Sequence, residues 1–358
     1  MVSVNALACI TPARTVGPER DTRPWPAHLR EPGLAPSATE SLPAEPVRAW
    51  EASIGRGAAG PLAIGDSVVV VQATDQRLTV LDRATGKRLW SARIQGLGAV
   101  GPLLAADAVY TAGTSGQVTA FSLRTGRALW QRMTAPVVGP LALGPSRLVV
   151  ATGDGRVYAL AATTGAVLWR RDLQAVLRSG ATLAGDRVTL ATDDSLIQLD
   201  AATGARLRAT AARGFALAPP ASAAGVLVYA SPDGFVSAYD QATLTQRWSH
   251  ATDPVLGSPA IARDTVFAVS ISGNVLRIPL GGGRLSTTPL GVTVRASPAP
   301  LARGLLVATV AGEILWIASS DTVPAWKVRV DGPLDQAPIV DRGLLIFADG
   351  RGRIHAWR

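Results

Sequence analysis

The chain has 358 residues, of which 47% are hydrophobic and only 17% charged, with a formal net charge of +9 and a pI near 10.8. That composition excludes a chain disordered throughout, and its single cysteine, Cys9, excludes an internal disulfide framework. Apolar runs of about 18 residues are missing, so no helix is predicted to span a membrane.

Residues 1–46 hold eight prolines interspersed with Ser, Thr, Glu and Arg, and show no periodicity. They are predicted to be an extended or disordered leader. Trp25, between Pro24 and Pro26, is either an incidental residue or a plug for a partner. Cys9 follows Ala6-Leu7-Ala8, small and apolar residues of the kind that precede a lipidated cysteine. Eight residues upstream without a basic stretch are too few for an ordinary signal, so Cys9 is read as a lipidation site of a shortened leader or as a chance likeness.

From residue 47 onward the chain repeats itself. Trp50, Trp90, Trp130 and Trp169 are separated by 40, 40 and 39 residues, and Trp169, Trp248 and Trp326 by 79 and 78. The longer gaps are two periods with one tryptophan lost, near Arg208 and near Leu285. A fixed period of about 40 predicts four-stranded units arranged radially, as in a propeller.

Each unit has the same punctuation. Eight openings recur, six as a Gly-Pro, Ser-Pro or Ala-Pro pair (Gly60-Pro61 through Ala337-Pro338) and two as Gly180-Ala181 and Pro219-Pro220. Apolar runs such as 68–71, 147–151 and 305–308 follow, suited to strands buried on both faces. Asp154-Gly155, Asp233-Gly234, Ser115-Gly116 and Ser272-Gly273 supply hairpin turns, because glycine reaches positive φ without steric cost. A D-x-x-T-G turn, as at Asp82 to Gly86 and Asp200 to Gly204, leads into the last strand. Its aspartates are assigned to turn structure rather than catalysis.

The first tryptophan slot lacks three preceding strands, and the last unit, which ends with Trp357, lacks a fourth. The predicted fold is therefore an all-β, eight-bladed propeller over residues 47–358, its last blade closed by the N-terminal strand so that no long edge remains open.

Catalytic constellations do not emerge. His28, His250 and His355 lack metal-ligand spacing, and no nucleophile elbow, phosphate loop or paired carboxylate motif occurs. The chain is read as a binding surface without an enzyme activity, a cofactor or a metal. The basic charge is almost all arginine, scattered through the repeats without a basic run or interleaved aromatics. That predicts no nucleic-acid partner and leaves acidic protein partners compatible.

The phrases from Gly155 to Trp169 and from Gln117 to Trp130 resemble the repeat of quinoprotein-type propellers. The opening segment around Trp50 and the closing segment from Leu344 to Arg358 make the chain most similar to the outer-membrane protein assembly factor B family, over about residues 47–358. That resemblance implies a non-enzymatic, eight-bladed periplasmic lipoprotein docked on the outer-membrane barrel insertase. The family's docking loop carries alternating leucines before an arginine. The matching stretch here, Gln174 to Gly180, implies partner contacts at Val176, Leu177 and Arg178, with Ala175 in place of one leucine. One blade later the family has two aspartates, where this chain has Ala216 and Ala218. The lost acids and the long leader leave a second reading open, an accessory subunit bracing another envelope complex, respiratory or photosynthetic. A quinone-dependent dehydrogenase is disfavoured by short loops and a missing acid cluster.

Overall fold

The computed structural model describes residues 46–96, 100–105, 107–318 and 323–358. Cys9, Trp25 and the leader through residue 45 lie outside them. Among the described residues all regular structure is β, arranged as eight four-stranded antiparallel sheets. Blades 1 to 7 occupy residues 63–93, 103–133, 142–172, 182–211, 221–251, 260–289 and 299–329, each in sequential strand order. Blade 8 takes three strands from residues 339–357 and its fourth from Arg48–Ser53. The protein is an eight-bladed β-propeller.

Strand position follows hydrophobicity. Second strands such as Val68–Ala73 and Leu344–Ala348 are buried along their whole length, as continuous apolar runs require. Fourth strands such as Ala128–Met133 are largely exposed, because they form the outer edge of each blade. First strands of neighbouring blades approach one another toward the axis. The opening dipeptides pack there backbone to backbone: a Cβ added at Gly139 would lie 1.9 Å from the Gly180 nitrogen.

Blades are joined by one repeated contact. The Trp50, Trp90, Trp130, Trp169 and Trp248 indoles donate Nε1–H to the carbonyls of Arg83, Leu123, Ala162, Ala201 and Leu280, at 2.7–3.0 Å. Each acceptor is in the turn before the outer strand of the next blade. The indole also lies against a glycine of that turn, and Gly86, at φ 70°, would place a Cβ 2.5 Å from Cε3 of Trp50. A glycine is needed there twice over, for the left-handed backbone and for the ring above it.

At one of the two positions where tryptophan is lost, the contact is rebuilt from other residues. At the interface of blades 4 and 5 the slot holds Arg208, paired across the sheet with Gln198. Gln198 is fully buried and donates from Nε2 to the carbonyl of Gln241 at 2.7 Å, the acceptor equivalent to those used by the indoles. The turn glycine is replaced by Leu244, which keeps a left-handed φ of 57° and buries its side chain among Ala216, Leu227 and Tyr239. In blade 6 the second missing tryptophan is Ser286, opposite the half-buried Arg277.

The ring closes as the sequence predicts. Arg48–Ser53 pairs antiparallel with Arg353–Trp357, and backbone bonds between Val47 and Arg358 extend the ladder. Trp50, Ile339, Ile346 and Ile354 of blade 8 pack on Ile64, Val69, Val71 and Leu81 of blade 1. Arg83 adds a buried ion pair to Asp341 at 2.5 Å across the same seam.

The turn aspartates act as predicted from their local chemistry. Asp82, Asp200 and Asp240 each accept from the backbone N–H and the hydroxyl of the threonine three residues on. The Thr203 hydroxyl holds the Asp200 carboxyl below its ordinary value of 3.8, and the Arg247 guanidinium does the same for Asp240.

Three outcomes are expected. Trp50→Ala should cost about 3–5 kcal/mol in chemical denaturation, the usual loss for a deleted core aromatic, and an unchanged midpoint would refute the closing role. Leu244→Gly should destabilise by about 2 kcal/mol or more, although glycine suits the turn, because the apolar side chain replaces a missing ring; a stabilised variant would disprove that exchange. The depressed Asp200 and Asp240 carboxylates supply stability above their unfolded value, lost as pH falls through their folded values. Asp200→Asn with Asp240→Asn should therefore flatten the fall in stability below about pH 4 in acid titration followed by circular dichroism.

Candidate docking face

Loops that run from the outer strand of one blade to the inner strand of the next share one face with the hairpins between second and third strands. The loop after Val167–Asp172 is shaped by three constraints. Gln174 has a left-handed φ of 53° and donates its N–H to the Asp172 carboxylate at 3.0 Å. Ala175 O crowds Gly155, and Leu177 forms a β-bridge with Thr192 of blade 4.

This geometry divides the three predicted contact residues. Leu177 is 2% exposed and packs with Trp169, Leu183 and Leu190, so its side chain faces the core between blades 3 and 4. Val176 is 48% exposed on the opposite side. Arg178 is exposed and forms a forked pair with Asp193, Nε to Oδ1 at 2.7 Å and Nη2 to Oδ2 at 3.2 Å. The hydrogen bonds that Arg178 donates to the Asp193 carboxylate raise its pKa above the ordinary arginine value. The guanidinium carbon also sits 5.1 Å from the centre of the Phe215 ring.

Sequence reading missed Asp193, Phe215 and Leu217. Asp193 comes from the hairpin of blade 4, and Phe215 and exposed Leu217 from the loop one blade on, about 40 residues from Arg178. Arg213 covers Phe235 in the same way at 5.3 Å, placing a second cation and ring in the neighbouring blade. The equivalence of these loops was the available signal, since Ala216 repeats the buried role of Leu177. The face is a row of fixed arginine and aromatic groups with Val176 and Leu217 between them, suited to adhesion.

Among the described residues the buried His355 of blade 8 lies between two carboxylates, Nε2 3.0 Å from Asp349 Oδ2 and Nδ1 3.5 Å from Glu51 Oε2. A polar cleft of about 410 Å³ between blades 1 and 2 is lined by Arg93, Gln95, Gln117 and Gln131, with neither histidine nor carboxylate. The first strands carry alkyl and hydroxyl side chains such as Ile64, Leu104, Thr182 and Ser222, and Asp341 beside them is engaged by Arg83. Among the described residues no group of three or more His, Cys, Asp or Glu is arranged to hold a metal ion. These residues do not fit a calcium-dependent quinone site, which needs several converging oxygen donors.

A family profile described as outer membrane protein assembly factor BamB matches residues 48–140 and 153–287, more than half the chain. The chain belongs to the BamB family. The crystal structure of BamB from Moraxella catarrhalis superposes with a TM-score of 0.75 at 16% identity, covering 88% of this chain and all of that one. Quinohemoprotein alcohol dehydrogenase from Comamonas testosteroni superposes with a TM-score of 0.75 at 11% identity, over 92% of this chain and 80% of that one. A computationally designed protein, Ika8, does so with 0.74 at 17% identity, over 86% and 98%. At these identities the structures share the fold alone. No curated protein matches the sequence.

BamB-family membership makes the Arg178 loop the first contact to test. Asp193→Ala removes its fork without touching the core, so the protein's thermal midpoint should move by no more than about 1 kcal/mol in equivalent stability. Leu177→Ala should cost about 2–5 kcal/mol. Equal effects in thermal denaturation would contradict the assignment of Leu177 to the core and Arg178 to the surface.

Proposed function

We propose that this protein is a non-enzymatic interaction scaffold of the cell envelope, acting as an accessory factor on the outer-membrane barrel assembly machinery. The supporting observation is the Arg178 face of a BamB-family ring: a permanent cation held by Asp193 and Phe215, with Val176 and Leu217 exposed beside it. Arg178 would exchange or share its Asp193 partner with a carboxylate of the bound protein, while Val176 adds apolar contact. Leu177 acts through the core, fixing the height and angle of the loop. Periplasmic location and an acyl anchor at Cys9 are part of this proposal.

A second reading, an accessory subunit of a different envelope complex, draws support from Phe215, Ala216 and Leu217. This stretch is apolar where the family resemblance implies acidic side chains, so it fits a partner with less positive charge. Affinity purification of the tagged protein from solubilised envelope separates the two. The first reading expects the barrel insertase in stoichiometric amount, and a different stoichiometric membrane complex overturns it. Arg178→Glu should weaken that capture by about tenfold or more, given the cost of reversing one partner of a charge pair; undiminished capture moves the interface elsewhere. Incubation with pyrroloquinoline quinone, calcium and alcohols or sugars is expected to give no dye reduction, and turnover would overturn the scaffold reading.

A further inference from the structure

The outer strands of blades 2, 3 and 4 carry side chains that sheet-edge protection does not explain. Leu129 and Met133 in Ala128–Met133, Leu168 in Val167–Asp172 and Leu207 in Arg206–Ala211 are 43–63% exposed. Leu129, Leu168 and Leu207 each precede a tryptophan slot, at equivalent positions in the ring. The fold therefore sets them in a row along three consecutive blades, one leucine to each. In blade 5 the same position is Arg247, and in blade 1 it is the half-buried Leu89.

Exposed arginines flank this row: Arg124, Arg127, Arg132, Arg170, Arg171 and Arg206. Among the described residues none of the six forms an ion pair. Arg132 and Arg171 donate from Nε to the carbonyls of Gly165 and Gly204, at 2.9 and 2.8 Å, which fixes their direction without neutralising them. Asp172 is the one carboxylate on these three strands, and it faces Arg156. On other outer strands some cations are matched, as in Arg247–Asp240, Lys327–Glu313 and Arg48–Glu51, while Arg88 and Arg93 of blade 1 and Arg329 of blade 7 are exposed without an ion pair among the described residues. The arginines are scattered in sequence order, yet the fold gathers them on one sector.

Arginine on an edge strand blunts unwanted pairing with another sheet, but exposed leucine works against that purpose. A protein partner favours a contiguous apolar core within a polar rim. Here the leucines are separated blade by blade, each beside a guanidinium. That spacing suits a fluid surface, where short alkyl groups enter between headgroups and arginines reach phosphate oxygens. We infer that the outer rim of blades 2 to 4 is a docking surface for an anionic lipid bilayer. It is distinct from the Arg178 face and does not require it.

The test is vesicle flotation of the full chain carrying Cys9→Ala, so that no acyl group contributes. The protein is expected to float with phosphatidylethanolamine–phosphatidylglycerol vesicles, to remain behind with pure phosphatidylcholine, and to dissociate as salt is raised. Arg127→Glu, Arg170→Glu and Arg206→Glu together should lower partition at least about tenfold, since each basic group near such a surface contributes severalfold. Leu129→Ser, Leu168→Ser and Leu207→Ser together should lower it to a similar extent, about tenfold. All six side chains are exposed and outside the core, and an unchanged thermal midpoint verifies folding. A control triple, Arg263→Glu, Arg303→Glu and Arg329→Glu, carries the same charge change elsewhere and should lose clearly less. Failure of the Cys9→Ala protein to float, equal binding to neutral vesicles, undiminished flotation of either rim variant, or equal loss in the control overturns the lipid surface, and returns this sector to an acidic protein partner.

Discussion

The ring depends on one hydrogen bond repeated from blade to blade, an N–H donated to a carbonyl in the neighbouring turn. The donor is an indole at Trp50, Trp90, Trp130, Trp169 and Trp248, and the fully buried amide of Gln198 at the interface of blades 4 and 5. A buried carbonyl without a donor costs about 1–3 kcal/mol, which is the cost these six donors avoid. The accompanying space obeys the same logic. Indole against glycine and Leu244 beneath an absent indole are two ways to fill one volume, and neither half tolerates the other's partner.

Much of this architecture is legible in the sequence because the tryptophan marks both a strand and an interface. Its period counts the blades, and its presence before the first complete unit reveals how the ring closes. The Gln198 substitution is not legible, since a glutamine two residues before the Asp200–Gly204 turn has no signal until the sheet pairs it with Arg208. Leu177 misleads for a related reason. In an irregular loop, alternation between Val176 and Leu177 does not say which side faces the core, and only the bridge to Thr192 decides. Asp193 and Phe215 escape because contacts between blades join residues a repeat apart. The unpaired arginines look like compositional bias in one dimension and become a sector in three.

The second and third strands are apolar and buried, while the exposed side chains lie on loops and outer strands. Arg178 illustrates the benefit of such an arrangement. Its guanidinium is already oriented by Asp193 and by the Phe215 ring, so little side-chain freedom remains to be lost on association. The fold itself is shared with quinohemoprotein alcohol dehydrogenase, so the fold alone does not choose between a scaffold and an enzyme.

The pairing of Arg48–Ser53 with Arg353–Trp357 also sets a timetable. A chain emerging from a ribosome exposes Arg48–Ser53 early, yet that strand has no partner until Arg353–Trp357 arrives. Seven blades must wait, ajar, for the eighth, and contacts at such separation are slow to form. During that interval the free edge of Arg48–Ser53 is open to any other extended polypeptide. The order of synthesis therefore leaves the closing seam as the last part of the ring to form.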